Sequence, residues 1–128
     1  MDNTTLPKTQ GKRILIVEDE KEYRDILTEI LQEEGFTVFQ AENGQIALNL
    51  LLNKQVDLIL LDMLMPQMDG ITFFNHLKKT LNRNTPVIIL TNFTEAAHPA
   101  GVTDVVIKAN TSLDEVLRKV KKNLSIQA

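Results

Sequence analysis

The stretch RILIVEDE, residues 13–20, joins an apolar run to a cluster of three acids. A continuous apolar run such as RILIV is typical of a strand that a parallel sheet buries on both faces. Glu18, Asp19 and Glu20 follow the run directly. Like charges at the end of a buried strand repel one another unless a cation compensates them, so the stretch bears on both fold and binding.

Apolar runs and amphipathic segments alternate along the rest of the chain. The predicted strands are 13–17, 36–40, 57–62, 85–91 and 104–108, and the predicted helices are 21–35, 43–54, 70–81 and 112–124. All of these strands except 36–40 read as buried on both faces. Gly35 is expected to end the first helix and Ser112 to cap the last one. The alternation predicts a doubly wound α/β domain around a parallel sheet.

The segment between the last two predicted strands is short. A whole crossover between parallel strands needs at least about 10–12 residues, and Pro99 and Gly101 interrupt this one. We therefore expect a shortened fourth helix of one or two turns around Thr94–His98. The domain is predicted to cover residues 12–125, and residues 1–11 are expected to be a flexible lead-in.

Composition narrows the class of protein. A chain of 128 residues suits one domain, and a net charge of −3 with scattered basic residues does not favour nucleic-acid binding. The absence of cysteine excludes disulfides and thiolate chemistry. No apolar run approaches the roughly 20 residues of a membrane span, and the polar N-terminus does not resemble a signal peptide. We expect a cytoplasmic protein that does not bind membranes.

Polar residues end the predicted strands. Glu18 and Asp19 follow the first strand, and Asp62, Thr91 and Lys108 end the third, fourth and fifth. The carboxyl ends of parallel strands meet at one edge of the sheet, where doubly wound folds bind ligands. Three carboxylates there suit a hard divalent cation, Mg²⁺ or Mn²⁺. With a lysine charge and a hydroxyl added, the set suits phosphoryl transfer onto an aspartate oxygen.

At this point the residues resemble the receiver domains of two-component response regulators. The similarity runs from ILIVEDE to the last helix, and its most specific part is DLILLDMLMPQMDG, residues 57–70. The resemblance implies that Asp62 is the phosphorylated aspartate. It also implies that Glu18 and Asp19 hold Mg²⁺ together with the backbone carbonyl of Leu64.

The same resemblance implies the remaining parts of the site and its partners. Thr91 would be the switch hydroxyl, and Lys108 would contact the phosphoryl group. The phosphoryl donor would be a histidine kinase or a histidine phosphotransfer protein. The implied strand order is 2-1-3-4-5, as in flavodoxin, and the implied role is a signalling module that catalyses only its own phosphorylation and dephosphorylation.

The sequence departs from the family pattern beside the lysine. The family often has proline after this lysine, in a cis bond, whereas Ala109 follows Lys108 here. A cis bond before a residue other than proline is unfavourable by about 3–4 kcal/mol, so we predict a trans bond and a lysine held by other means. The family also has an aromatic residue three positions before the lysine, where this chain has Val105. Valine puts the usual coupling of hydroxyl and aromatic ring in doubt.

Residues that flank the predicted phosphoryl site are Leu64, Asn92 and Phe93. Apolar side chains at 64 and 93 should hinder an attacking water, which predicts a slowly hydrolysed aspartyl phosphate. Glu20 is expected to begin the first helix and to take no part in the site. Phe73, Phe74 and Leu77 are expected in the core.

Several functions remain open from the sequence. The leading interpretation is a stand-alone receiver, monomeric or weakly dimeric and not dimerising through the short crossover, that signals to a downstream protein target. The alternative is a pseudo-receiver, a protein-interaction module that keeps the fold without the switch, and Val105 favours it. A flavodoxin-like cofactor binder is disfavoured because acids after the first strand repel phosphate. A phosphatase of the haloacid dehalogenase type would need a general acid at position 64, where leucine stands.

Overall fold

A computed structural model describes residues 11–65, 68–92 and 102–126 of the chain. Strands and helices alternate through these ranges. The strands are β1 Arg13–Val17, β2 Thr37–Ala41, β3 Leu58–Asp62, β4 Val87–Thr91 and β5 Asp104–Ile107. The helices are α1 Lys21–Glu33, α2 Gly44–Leu51, α3 Gly70–Leu77 and α4 Leu113–Asn123.

The strands form one parallel sheet in the order β2-β1-β3-β4-β5. This confirms the predicted fold class and strand order. Asp62 at the end of β3 lies opposite Leu90, and Thr91 at the end of β4 lies opposite Ile107. The register therefore brings the carboxyl ends of the central strands to one edge of the sheet.

The core has two halves, one on each face of the sheet. The central strands β1, β3 and β4 alternate their apolar side chains between the faces, which is why their sequences are continuously apolar. One face packs against α2 and α3, and the buried side chains of these helices include Ala47, Leu51, Phe73, Phe74 and Leu77. The other face packs against α1 and α4, through Leu27, Leu31, Val116 and Val120. The predicted core positions of α3 are confirmed.

The last strand differs from its prediction. Residues 104–108 were expected to be buried on both faces, but β5 ends at Ile107 and only Val106 is buried. β5 lies at the edge of the sheet, and within the described ranges its one neighbouring strand is β4.

Helices α2 and α3 are shorter than predicted, since 43–54 and 70–81 were expected. The chain beyond Leu77 turns to bring Asn82 into the interior, where Asn82 Oδ1 accepts a bond from Val56 N at 3.0 Å and Asn82 Nδ2 donates to Lys54 O at 3.0 Å. These bonds join the segment that follows α3 to the segment that follows α2. Helical spacing alone did not predict them.

Two glycines occupy positions that require them. Gly35 has φ +97°, a left-handed backbone that ends α1 where the sequence predicted. A Cβ on Gly70 would lie 2.8 Å from Met63 Sδ and 2.9 Å from Met63 Cα. Gly70 thus lets the start of α3 approach the loop that follows Asp62. Asp69 caps this helix by accepting a hydrogen bond from Thr72 N at 2.8 Å.

Parts of the predicted architecture lie outside the described residues. These are the short helix at Thr94–His98, the flanking Phe93 and all but the last residue of the 1–11 lead-in. None of the helices in the described ranges has both the length and the apolar character that crossing a bilayer requires.

Candidate functional site

The five residues predicted for the site meet at the carboxyl edge of the sheet. Glu18 and Asp19 follow β1, Asp62 and Thr91 are the last residues of β3 and β4, and Lys108 directly follows β5. Oxygens of the three carboxylates lie within 4.8 Å of one another. Glu18, Asp62 and Thr91 are buried, whereas Asp19 is exposed. The acidic cluster therefore has a buried floor and an open side.

Lys108 reaches into this cluster from the end of β5, which β4 separates from β3. Its backbone N–H donates to the Thr91 carbonyl at 2.8 Å, which fixes where the side chain starts. Its Nζ lies 2.7 Å from Glu18 Oε1, 3.0 Å from Glu20 Oε1 and 3.6 Å from Asp62 Oδ2. The Lys108 side chain is 8% exposed, so its pairs with the buried Glu18 and Asp62 are shielded from water, whereas the Glu20 side chain is 59% exposed. One ammonium group thus faces three carboxylates.

The bond between Lys108 and Ala109 is trans, which confirms the prediction from the missing proline. The lysine is held by side chains instead. The Tyr23 ring lies under the ammonium group, with its centroid 5.2 Å from Nζ, within the range of a cation–π interaction.

Glu20 was expected to stand outside the site, and this was wrong. Its backbone does cap α1, as predicted, but the side chain makes no capping bond and instead accepts a hydrogen bond from Lys108 Nζ. Sequence reasoning also missed Tyr23. The sequence did contain an indication of both contacts. A lysine that is not followed by proline needs other side chains to hold it, and the first turn of α1, directly after β1, supplies them.

Burial raises the pKa of Asp62 to about 8 from its ordinary value of 3.8. The neighbouring Asp19 carboxyl and the charge of Glu18 add to this effect. The backbone N–H of Leu64, which donates to Asp62 Oδ1 at 3.1 Å, and the charge of Lys108 oppose it only in part. Without a cation, Asp62 therefore holds a proton near neutral pH.

For Lys108, the neighbouring charges have a larger effect on the pKa than burial has. Burial alone would lower the pKa of Lys108, but the carboxylates of Glu18, Glu20 and Asp62 outweigh it and raise that pKa. Lys108 is consequently charged across the physiological range. The site still has more negative than positive groups, because one ammonium faces the triad and Glu20.

The residues fit a hard divalent cation. Glu18 Oε1 is buried, and Lys108 Nζ lies 2.7 Å from it, but Glu20 and Asp62 share the same ammonium group. Acids that outnumber the positive charge beside them repel one another unless a cation compensates them. The triad offers only oxygen ligands, which Mg²⁺ prefers. Glu18, Asp19 and Asp62 could hold such an ion.

The predicted flanking residues differ in their exposure. Leu64 is 60% exposed and Asn92 is also exposed. Val105 is half-buried and packs against the core half that contains α2 and α3. An apolar side chain beside Asp62 is thus free to meet an incoming phosphoryl group or water.

Comparison with known proteins gives the family. The family model described as the response regulator receiver domain matches residues 14–121. Sporulation initiation phosphotransferase F of Bacillus subtilis is 42% identical over 85 residues, which cover 66% of this chain and 68% of that protein. The transcriptional regulatory protein CpxR of Escherichia coli is 44% identical over 79 residues, 62% of this chain and 33% of CpxR. The chain thus matches only about a third of the length of CpxR.

Solved structures agree with these relatives. Response regulator TrrA of Thermotoga maritima, determined in complex with Mg²⁺ and BeF, is 35% identical and has a TM-score of 0.77. That comparison covers 88% of this chain and 98% of TrrA. A two-component response regulator of Clostridium difficile is 26% identical with a TM-score of 0.82, over 90% of this chain and 97% of the other. The chain therefore belongs to the response regulator receiver domain family of two-component signal transduction.

Proposed function

We propose that the protein accepts a phosphoryl group on Asp62 and signals by altered binding to a partner protein. The observation that carries this proposal is the meeting of three carboxylates with one buried lysine at the end of the sheet. Asp62 is the central member, since it ends the middle strand and Lys108 Nζ lies 3.6 Å away. A phosphoryl group on Asp62 would be within reach of this ammonium.

The transfer would proceed by attack of an Asp62 carboxylate oxygen on the phosphorus of a phosphohistidine. The new O–P bond forms as the P–N bond breaks, and the imidazole nitrogen keeps the electron pair and takes a proton from solvent. Lys108 would neutralise the phosphoryl oxygens, and Thr91 would offer its hydroxyl to them. Mg²⁺ held by Glu18, Asp19 and Asp62, with the Leu64 carbonyl as a further ligand, would supply charge neutralisation.

Partners follow from this chemistry. The donor is a histidine kinase or a histidine phosphotransfer protein, and the output is a change in affinity for a downstream protein in the cytoplasm. The relative named a phosphotransferase supports a place in a relay. DNA binding is not proposed for this domain, although CpxR is named as a transcriptional regulator.

Intact mass spectrometry after incubation with acetyl phosphate and Mg²⁺ tests the proposal. We expect one phosphoryl adduct that Asp62→Asn and metal chelation both abolish. Asp57→Asn is the matched control, because Asp57 lies at the other end of the same run and Asn keeps the acceptor for Arg13 N. An adduct that survives in Asp62→Asn would refute Asp62 as the acceptor.

A pseudo-receiver is the second candidate, and Val105 favours it. A half-buried valine cannot swing between buried and exposed positions over a useful distance, as a bulky aromatic side chain can. In that case the fold would bind its partner with equal affinity before and after treatment with acetyl phosphate. Absence of any adduct with several donors and a candidate kinase would decide for this alternative.

A further inference from the structure

Lys108 has two kinds of carboxylate partner. Glu18 and Asp62 belong to the proposed Mg²⁺ triad, whereas Glu20 does not. A carboxylate that binds a cation has less charge to offer a neighbouring ammonium, so occupation of the triad weakens two of the three ion pairs of Lys108. The ion pair with Glu20, at 3.0 Å, is not weakened in this way, because Glu20 does not belong to the triad.

Glu20 is well placed to keep the lysine. Its side chain is 59% exposed and makes no capping bond to α1, so it is available to Lys108. Its backbone N–H donates to Glu18 Oε2 at 3.0 Å, which fixes the position of Glu20 relative to the triad. Glu20 therefore connects the metal ligands to the lysine without being one of them.

Tyr23 contacts the same ammonium group through its ring, whose centroid lies 5.2 Å from Nζ. The ring lies in the first part of α1 and packs against the core half that contains α1 and α4. This packing fixes the position of the ring beside Lys108, and the Tyr23 hydroxyl has no hydrogen-bond partner among the described residues. Arg24 fixes this turn of the helix by donating to the Glu18 carbonyl at 2.6 Å.

We infer that Glu20 and Tyr23 are positioning residues that hold the Lys108 ammonium at the phosphoryl site in place of a constraint from Lys108–Pro. Glu20 supplies the carboxylate that stays with the lysine when the triad holds a cation, and the Tyr23 ring forms the wall that restricts the lysine side chain. The inference deepens the proposed function and rests on it, because it assigns Lys108 to the phosphoryl group.

The first test observes the lysine and needs no phosphoryl donor. The ¹H–¹⁵N signal of the Lys108 ammonium reports its exchange with water, which ion pairing slows. In Glu20→Gln we expect exchange at least about threefold faster than in wild type, and a larger difference with saturating Mg²⁺ than without it. Glu22→Gln is the matched control, since it removes the same charge from an exposed position in the same turn. Tyr23→Leu should also speed exchange, and Tyr23→Phe, which keeps the ring, should not.

The second test uses Mg²⁺ with beryllofluoride as a mimic of the phosphoryl group. Glu20→Gln should lower beryllofluoride affinity about tenfold, since a charge-assisted contact to the lysine is lost, while Mg²⁺ affinity changes less than about twofold. In a Lys108→Ala background the Glu20→Gln change should have no further effect. An equal loss in both backgrounds would overturn the positioning role.

The two proposals fail in different ways. If wild-type protein neither binds Mg²⁺ nor forms an adduct on Asp62, the proposed function is wrong. The ammonium exchange of the metal-free protein still decides the role of Glu20 in that case. Unchanged exchange in Glu20→Gln, with and without Mg²⁺, overturns the inference whatever the result on Asp62.

Discussion

The two ends of the parallel sheet both bury polar side chains but treat them differently. At the amino end, Asn82 is 2% exposed, and its side-chain amide bonds to the backbone at Val56, Lys54 and Leu51. At the carboxyl end, Glu18 is fully buried, and it shares the one ammonium group of Lys108 with Asp62 and Glu20. Burial is similar at the two ends, but the carboxyl end has charged groups, and its acids outnumber the lysine that pairs with them.

The difference separates a structural polar group from a functional one. A neutral amide with all its bonds made within the protein stabilises the connection between α2, α3 and β4. Acids that outnumber the positive charge beside them raise the free energy of the metal-free fold, and a cation that bound there would lower it. The following changes should therefore act on stability at one end and on binding at the other.

The largest effect on stability is expected from Asn82→Ala. It would leave Val56 N and two carbonyls without partners in the interior, which should lower the free energy of unfolding by about 3 kcal/mol. Urea denaturation measures this, and Asn53→Ala, at an exposed position, should change it by less than about 0.5 kcal/mol. Mg²⁺ affinity of the folded Asn82→Ala protein should stay at the wild-type value. A loss below about 1 kcal/mol would contradict the structural role.

Asp62→Asn should change how the free energy of unfolding depends on pH. The pKa of Asp62 is raised from 3.8 to about 8 in the folded protein, so the fold binds the proton more tightly than the unfolded chain does. This stabilisation of the folded protein is present in full below the pKa that Asp62 has in the unfolded chain. It is lost as the pH rises through the pKa that Asp62 has in the folded protein. The metal-free wild type should therefore lose stability between pH 5 and pH 9 relative to Asp62→Asn. The three pH units from pH 5 to the folded pKa correspond to about 4 kcal/mol, which screening by water at the open side of the site should reduce to about 2 kcal/mol. The free energies of unfolding of the two proteins can be measured by urea denaturation at each pH in the presence of a chelator. If they depend on pH in the same way across this range, the prediction is refuted.

Mg²⁺ binding should have the reverse dependence on pH. The cation requires ionised Asp62, whose pKa lies at about 8 without metal. Apparent Mg²⁺ affinity should thus rise by up to about tenfold per pH unit between pH 6 and pH 8 and then level off. Titration of each protein with Mg²⁺ at several pH values measures this slope. Asp62→Asn, which has no proton to lose there, should bind more weakly and show a flatter profile; an equal slope would assign the proton to another group.

The sequence predicted the strands that are buried on both faces of the sheet. Continuous apolar runs in β1, β3 and β4 report two covered faces, and the alternation of strands and helices gives the parallel sheet. The position of β5 at the edge was not predictable, because the run DVVI reads the same whether one or two strands lie beside it. The ends of α2 and α3 depend on the bonds of Asn82 to a distant segment, which helical periodicity does not contain.

The sequence predicted which residues meet at the candidate site. It predicted less well which residues hold their side chains in place. Strand order brings Asp62 and Lys108 to one edge once the sheet is accepted as parallel. The direction of the Glu20 side chain depends on where α1 begins and how that helix crosses the sheet. The acids after β1 therefore predicted the acidic cluster of Glu18, Asp19 and Asp62, while the contacts of Glu20 and Tyr23 with Lys108 became visible only in the structure.

Leu64→Asn should produce the smallest effect, on the lifetime of the aspartyl phosphate. Leu64 is 60% exposed beside Asp62, and an apolar side chain there cannot orient an attacking water. Asn offers hydrogen bonds to that water, so the phosphorylated variant should lose its adduct roughly threefold faster than wild type. Intact mass measured over time after removal of the donor gives the two lifetimes. Leu52→Asn is the control, since Leu52 is 71% exposed but lies on the α2 end remote from Asp62. A longer lifetime in Leu64→Asn would mean that leucine assists hydrolysis, and this would overturn the prediction that the apolar side chain at 64 protects the aspartyl phosphate from water.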